Sequence, residues 1–122
     1  MATLKIKPYA EELITPAIKK GYLISVESYG DNILEDIGKD ELSQDIDEVL
    51  EAIKAVDECC IYLWKSEEDY KERDCEGWLY WIAYNEGFER LSDYSINLEE
   101  SINLDKIMEK WIDKYDYLLS NI

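Results

Sequence analysis

Two apolar stretches, CCIYLWK at residues 59–65 and GWLYWIAY at residues 77–84, decide the fold of this 122-residue chain. In both, apolar or aromatic side chains fill the two alternating sets of positions, which is typical of strands in the middle of a sheet. The charged residues 66–76 connect them and are expected to form a loop. Two such strands joined by a short connection predict an antiparallel pair.

Further strands are predicted on both sides of this pair. Tyr22–Tyr29 alternate, with Ile24 and Val26 on one face, which predicts a half-buried strand. Residues 30–32 have turn chemistry, and Ile33–Ile37 are expected to be a short returning strand. Glu89–Ser95 are expected to form a fourth strand.

Three helices are predicted to pack on this sheet. Pro8–Lys20 carry a short apolar stripe, and Pro16 should kink this helix or split it after Thr15. Ser43–Asp57 repeat apolar residues at helical spacing, with Ser43 as the expected N-cap. A third helix is expected after Asn103. Its apolar stripe consists of Leu104, Ile107, Met108, Trp111, Ile112, Tyr115, Leu118 and Leu119.

The predicted fold class is α+β, a mainly antiparallel sheet of about four strands packed by three helices. The length suits a single acidic domain over residues 1–122, because compact domains cluster at roughly 100–150 residues. No apolar run approaches the ~18 residues of a membrane span, and no signal-peptide pattern follows Met1. A soluble, cytoplasmic protein is therefore expected.

The composition argues against the common catalytic and metal-binding chemistries. The chain has no histidine, which excludes Ser-His-Asp and Cys-His nucleophile pairs and histidine metal sites. The three cysteines, Cys59, Cys60 and Cys75, form no C-x-x-C pair and are expected to be free thiols. Phosphate-binding glycine loops are absent. Carboxylates such as Glu86 and Asp93 are plentiful, but their spacing singles out no acid–base pair. We therefore expect no catalytic residue, no cofactor and no metal.

The charge is strongly acidic and uneven. The chain has 29 acidic and 13 basic residues, a net charge of −16, and residues 41–80 alone carry 13 acidic against 4 basic side chains. Unpaired like charges at helical i, i+4 spacing are slightly destabilising, so solubility or a partner must account for them. The expected acidic face consists of Asp45, Asp47, Glu48, Glu51, Glu58, Glu67, Glu68 and Asp69.

Two interpretations of this acidic face stay open. It is either a solvated surface that keeps the protein soluble, or a set of carboxylates presented to a basic cleft. In the second case the carboxylates imitate spaced phosphates and occupy a nucleic-acid channel. Direct binding to nucleic acid is not expected, because the chain has only two arginines, Arg73 and Arg90, and no basic patch.

Aromatic residues are the second candidate feature, with four Trp and ten Tyr against one Phe. Trp and Tyr are favoured at protein interfaces, and the two central strands carry several of them. Trp64 and Tyr80 are the candidate partner contacts, if helices leave one sheet face uncovered. The alternative is that these rings fill the core and meet Trp111 and Tyr115.

Scattered short matches resemble small uncharacterised acidic proteins of tailed bacteriophages. The residues are Lys7-Pro8-Tyr9, Gly21-Tyr22 with Ser25-Val26, Asp57-Glu58, Gly77-Trp78 and Asp93-Tyr94. In addition, Glu100-Ser101-Ile102 is similar to a short edge segment of uracil-DNA-glycosylase inhibitors, which are acidic DNA mimics. The resemblance implies an accessory role against a host defence, in the cytoplasm of a bacterial host cell, and no functional residue is carried over from it.

The function hypothesis is a non-enzymatic inhibitory binding protein, encoded by a phage or mobile element. It would present its acidic face to a basic cleft of a host nucleic-acid enzyme or defence complex, as an anti-CRISPR or anti-restriction protein does. One alternative is an immunity-type protein that neutralises a basic toxin nuclease. The other is a small-ligand or enzyme domain that uses the aromatic strands.

Overall fold

The computed structural model describes residues 6–84, 88–95, 97–104 and 106–109. The predicted α+β class is confirmed, and the antiparallel sheet has five strands where about four were expected. The elements are α1 (Ile6–Lys19), β1 (Leu23–Ser28), β2 (Asp31–Asn32), α2 (Ile33–Asp36), α3 (Ile46–Lys54), β3 (Glu58–Trp64), α4 (Glu67–Glu72), β4 (Gly77–Tyr84), β5 (Phe88–Tyr94) and α5 (Leu98–Ser101).

The strands lie in the order β2-β1-β3-β4-β5, and every neighbouring pair is antiparallel. Val26 is opposite Ile61, which is opposite Leu79, so these side chains lie on the same face of the sheet. The predicted central strands β3 and β4 are therefore confirmed as neighbours inside the sheet.

One face of the sheet forms the main core together with the helices. Its side chains are almost completely buried and include Ile24, Val26, Cys59, Ile61, Leu63, Leu79, Trp81 and Leu91. Helix α3 adds Val49, Leu50, Ala52 and Ile53 to the same cluster. Burial of these apolar side chains, worth about 1.5–3 kcal/mol for each large one, stabilises the packing of helices on this face.

Helix α1 runs without interruption through Pro16, so the predicted split after Thr15 is wrong. Proline has no N–H for the preceding turn, which costs about 3 kcal/mol in a helix interior. Four side chains of this helix are fully buried, and their burial outweighs that loss. They are Ala10, Leu13, Ile14 and Ala17.

Residues Ile33–Asp36 form helix α2, and the prediction of a returning strand over Ile33–Ile37 is wrong. The side chain of Asn32 accepts a hydrogen bond from the N–H of Glu35 (3.0 Å), which caps the helix. The returning strand is therefore limited to Asp31–Asn32, because the cap turns the chain out of the sheet.

Helix α3 is shorter than the predicted Ser43–Asp57, and its N-cap is Asp45 instead of Ser43. The Asp45 carboxylate accepts hydrogen bonds from two N–H groups of the first turn (2.9 and 3.4 Å). Ser43 pairs with Ile24 through two backbone hydrogen bonds of 2.9 Å. The helix begins later because this bridge keeps Ser43 attached to the edge of β1.

The charged segment 66–76 is not all loop, as was expected, because it contains helix α4. The hydroxyl of Ser66 accepts a hydrogen bond from the N–H of Asp69 (3.1 Å) and caps this helix. Three acidic residues in the first turn add favourable interactions with the helix dipole. The helix ends at Glu72 and is followed by the C-cap Arg73, whose backbone has a φ of 59°.

The start of the predicted last helix agrees with the structure. Leu104 and residues 106–109 are helical, and the N–H of Ile107 donates to the carbonyl of Asn103 (3.4 Å). Leu104 is fully buried, and Ile107 and Met108 pack against the core. The rest of the predicted stripe, from Trp111 to Leu119, lies outside the described residues.

Candidate partner-binding surfaces

The second face of the sheet carries aromatic, acidic and thiol groups. Strand alternation and register place on it the side chains of Ser25, Glu27, Cys60, Tyr62, Trp64, Trp78 and Tyr80, which we call the aromatic face. Apart from Ser25 and Trp64, these side chains are half-buried. The predicted division of β3 and β4 into two faces is thus confirmed, and Trp81 belongs to the core face.

Helix α4 covers part of the aromatic face through Tyr70 and Arg73. The Arg73 guanidinium donates to both carboxylate oxygens of Glu27, at 2.8 and 3.1 Å. It also lies over three rings, with centroids 5.0 Å away for Trp64, 5.4 Å for Tyr70 and 5.6 Å for Tyr62. The hydrogen bond to Glu27 raises the pKa of Arg73 above its ordinary value. This surface therefore holds a guanidinium by one carboxylate and several rings.

Trp64 lies beneath this helix and does not form an exposed contact. Its side chain is 1% exposed, its Nε1 donates to the Ser25 hydroxyl (2.8 Å), and its ring meets the Tyr70 ring edge-on at 5.2 Å. The expectation that Trp64 contacts a partner is therefore corrected, because α4 already buries it.

Tyr80, the other aromatic candidate, lines a cleft that α4 leaves open. We call it the tyrosine cleft; it has a volume of about 180 Å³ and is lined by Glu27, Ser28, Tyr29, Glu58, Cys59, Cys60, Tyr62 and Tyr80. Burial raises the pKa of Tyr62 to about 12 and raises the pKa of the Cys60 thiol. Both groups are therefore protonated and uncharged at neutral pH. The acidic groups of the cleft are Glu58 and Glu27, and Glu27 is paired with Arg73.

Tyr29 forms the rim of this cleft at the tip of the β1–β2 hairpin. It has a φ of 51° and the following Gly30 a φ of 87°, the backbone of a turn that usually takes Asn-Gly. Its side chain is 88% exposed, and its hydroxyl donates to the carboxylate of Glu58. On its other side lies a wider cleft of about 540 Å³, lined by Ser28, Tyr29 and Ala55–Glu58.

The acidic residues predicted for one face are divided between two sides of the sheet. Helix α3 packs on the core face and carries Asp45, Asp47, Glu48 and Glu51. Helix α4 lies over the aromatic face and carries Glu67, Glu68 and Asp69. Glu58 lies at the tyrosine cleft. A single flat partner surface therefore cannot contact the whole predicted set.

Several of these acids have a structural role that the sequence analysis missed. Asp45 caps α3, and Glu48 is half-buried and accepts a hydrogen bond from the Ser43 hydroxyl (2.8 Å). Acids in a first turn are also favoured by the helix dipole. Glu51 lies beyond the first turn of α3 and is exposed, so neither helix capping nor the helix dipole explains why this residue is acidic.

Three further residues of these surfaces were not predicted from the sequence: Glu27, Tyr29 and Arg73. Ser66-x-x-Asp69 has the spacing of a capping box, and this signal would have predicted the start of α4. The end of α4 in turn determines the position of Arg73. Tyr29-Gly30 forms the tip of the β1–β2 hairpin, before the two-residue strand β2. Tyrosine is not a usual turn residue, so the residue type did not predict that Tyr29 lies at this tip. No pattern in the sequence predicted the ion pair between Glu27 and Arg73.

Comparisons with protein-family models, with curated proteins and with solved structures find no match to this chain. The three cysteines are free. Among the described residues, no three histidine, cysteine, aspartate or glutamate side chains are grouped to hold a metal ion. None of the helices within the described ranges is long and apolar enough to cross a bilayer.

Proposed function

We propose that this chain is a non-enzymatic binding protein that docks exposed carboxylates onto a basic protein partner. The observation that carries the proposal is the uncompensated charge of the protein, −16 over 122 residues. This value already counts all 13 basic side chains, including those of the ion pairs Arg73 with Glu27 and Lys65 with Glu76, so carboxylates outnumber basic groups by 16. Such a surface raises the rate of encounter with a basic partner.

Helix α3 is the element best suited to present these carboxylates. Its apolar side is fully packed in the core, so its position is fixed by burial. Asp47 and Glu51 are exposed on this helix at positions i and i+4, a spacing that brings side chains next to each other on a helix surface. Glu51 has no salt bridge within the described residues, so its charge remains available.

The class of partner that fits is a protein with a basic groove for nucleic acid. Fixed carboxylates on a helix can replace phosphates in such a groove, where lysine and arginine side chains are already arranged for anions. The resemblance to small acidic phage proteins would make the partner a host nucleic-acid enzyme or a defence complex. An immunity-type protein would use the same electrostatics on a toxin nuclease, and the identity of the partner separates these two cases.

The test has two steps. Proteins captured from the source cells on immobilised wild-type chain are compared by mass spectrometry with those captured on Asp47→Lys/Glu51→Lys. A protein retained only by the wild type is purified and bound to a labelled DNA or RNA duplex, and the chain is added as competitor. The proposal predicts displacement of the duplex that weakens as salt is raised. A partner that binds the chain and the duplex simultaneously would contradict it.

Glu67→Lys/Glu68→Lys is the matched control for the capture step. It changes the net charge by the same amount, and both side chains are exposed on α4, on the other side of the sheet. The control is expected to retain the partner. Equal loss from both variants would show that only total charge matters.

A further inference from the structure

We propose that the tyrosine cleft binds an arginine side chain of the partner, held by the Glu58 carboxylate with the ring of Tyr29 at the rim. This inference rests on the proposed function, because it names the side chain that a basic partner contributes. It adds a second contact on a different part of the protein from the acidic side of α3.

The neighbouring part of the same face already holds an arginine. Arg73 is bound through both oxygens of Glu27 and lies 5.0–5.6 Å from three ring centroids. Its backbone φ of 59° belongs to the left-handed end of α4, which backbone hydrogen bonds also stabilise. One carboxylate and three rings on this face thus hold a guanidinium in the folded protein.

The tyrosine cleft repeats these groups. Glu58 supplies a carboxylate, Tyr62, Tyr80 and Tyr29 supply rings, and none of the described residues that line the cleft is basic. Its volume of about 180 Å³ exceeds the ~150 Å³ of a cavity that takes a benzene-sized group. One side chain of a partner therefore fits.

Acidic side chains surround the cleft. Glu27 and Glu58 line it, and Asp57 lines the wider cleft on the other side of Tyr29. Arg73 neutralises Glu27. The described residues of the cleft region therefore carry a net negative charge, which favours a cation and disfavours an anion or a neutral apolar group.

The conformation of Tyr29 also favours a binding role for the cleft. A bulky residue with positive φ is unusual, and such strain at an exposed tip is typical of functional positions. Asparagine or glycine would suit the turn better. Among the described residues, Tyr29 is the large apolar side chain with the greatest exposure, at 88%, and tyrosine is enriched among residues that dominate binding energy.

The test is an NMR titration of the ¹⁵N-labelled full chain with N-acetyl-arginine amide. The uncharged control is N-acetyl-citrulline amide, which has nearly the same shape. We expect saturable shifts of the backbone amides at residues 28–30 and 58–60 with the arginine probe, and binding at least about fivefold weaker with citrulline.

Variants at the cleft separate the contribution of the Glu58 carboxylate to binding from that of the Tyr29 ring. Glu58→Gln, which keeps the shape, should weaken the arginine probe about fivefold. Tyr29→Asn should weaken it about threefold, whereas Tyr29→Phe, which keeps the ring, should stay within about twofold of wild type.

Three results would overturn the inference. They are equal binding of the arginine and citrulline probes, shifts spread evenly over α3 and α4, and no saturable shift at residues 28–30 and 58–60. Asp47→Lys/Glu51→Lys should leave the dissociation constant of the arginine probe within about twofold of wild type. The titration thus tests the cleft even if no partner with a nucleic-acid groove is captured, so the two proposals fail separately.

Discussion

Arg73 and Glu27, 46 residues apart in the chain, form a two-point ion pair that fastens α4 to the aromatic face. The rings of Tyr62, Trp64 and Tyr70 surround the guanidinium, and Trp64 is buried as a result. The pair therefore decides which aromatic residues remain accessible. Tyr80 lines an open cleft, whereas Trp64 does not.

A double-mutant cycle should measure this pair directly. Glu27→Gln and Arg73→Gln, alone and together, should give a coupling of about 1 kcal/mol in the free energy of unfolding, because the pair is bidentate and partly shielded by rings. The same cycle on Lys65 and Glu76 is the control. That pair is 3.2 Å apart, but the Lys65 side chain is 63% exposed, so its coupling should be near zero. Equal couplings in urea unfolding would contradict this account.

The sheet could be predicted from the sequence, whereas the surface could not. Residues 59–65 and 77–84 are apolar at both alternating sets of positions, and this local pattern was enough to place β3 and β4 inside an antiparallel sheet. Trp64 and Tyr80 have the same sequence signal and lie on the same face. They differ in burial because α4 covers one of them, and that contact depends on residues distant in sequence.

The predicted helix boundaries were wrong for a related reason. Asn32, Asp45 and Ser66 each cap a helix by a side-chain hydrogen bond to a backbone N–H near the start. Ser43 has an equally suitable side chain, but its backbone is engaged with Ile24. Residue type alone therefore identifies several possible N-caps, and the backbone pairing of Ser43 with Ile24 determines which of them begins α3.

Tyr29→Asn should stabilise the protein. Asparagine tolerates the left-handed backbone of this turn better than tyrosine, so we expect a gain of about 1 kcal/mol, reduced by loss of the hydrogen bond to Glu58. Tyr29→Phe removes the hydroxyl that donates to Glu58 and keeps the ring, so it should be slightly destabilising. The free energies of unfolding in urea give both values. A loss of stability in Tyr29→Asn would show that the ring has a structural role.

Trp64→Ala should be strongly destabilising, by about 3–5 kcal/mol, because its large ring is fully buried. Tyr80→Ala is the matched comparison on the same face and should lose about 1–2 kcal/mol, since Tyr80 is half-buried. Thermal or urea unfolding measures both. Similar losses for the two variants would mean that α4 does not cover Trp64 in solution.

The stability of the protein should fall at alkaline pH. Burial raises the pKa of the Cys59 thiol from 9.0 to about 12, so the folded state retains a proton that the unfolded state releases. The resulting stabilisation is fully present below pH 9 and is lost as the pH rises towards 12. The pKa values of Cys60, Cys75 and Tyr62 are raised as well and act in the same direction.

Cys59→Ala isolates the contribution of this thiol. Its unfolding free energy should fall less steeply between about pH 8 and about pH 10.5 than that of the wild type, although it starts lower because of the lost packing. Urea unfolding at several pH values measures both slopes. Parallel curves for the two proteins would contradict a raised pKa at Cys59.

The central claim is that the exposed carboxylates of α3 guide the protein to a basic partner. The most direct measurement is the association rate constant with the purified partner, by stopped flow or surface plasmon resonance, over a range of salt concentrations. Three proteins are compared: wild type, Asp47→Lys/Glu51→Lys on α3, and Glu67→Lys/Glu68→Lys on α4. The two variants carry the same total charge, so they differ only in the position of the reversal.

At low salt, the reversal on α3 should lower the association rate constant about tenfold or more, whereas the reversal on α4 should lower it about twofold at most. The difference should largely disappear near ~1 M salt, where the screening length falls to about 3 Å. Equal association rates for the two variants across the whole salt series would contradict the claim, and the acidity of α3 would then serve solubility alone.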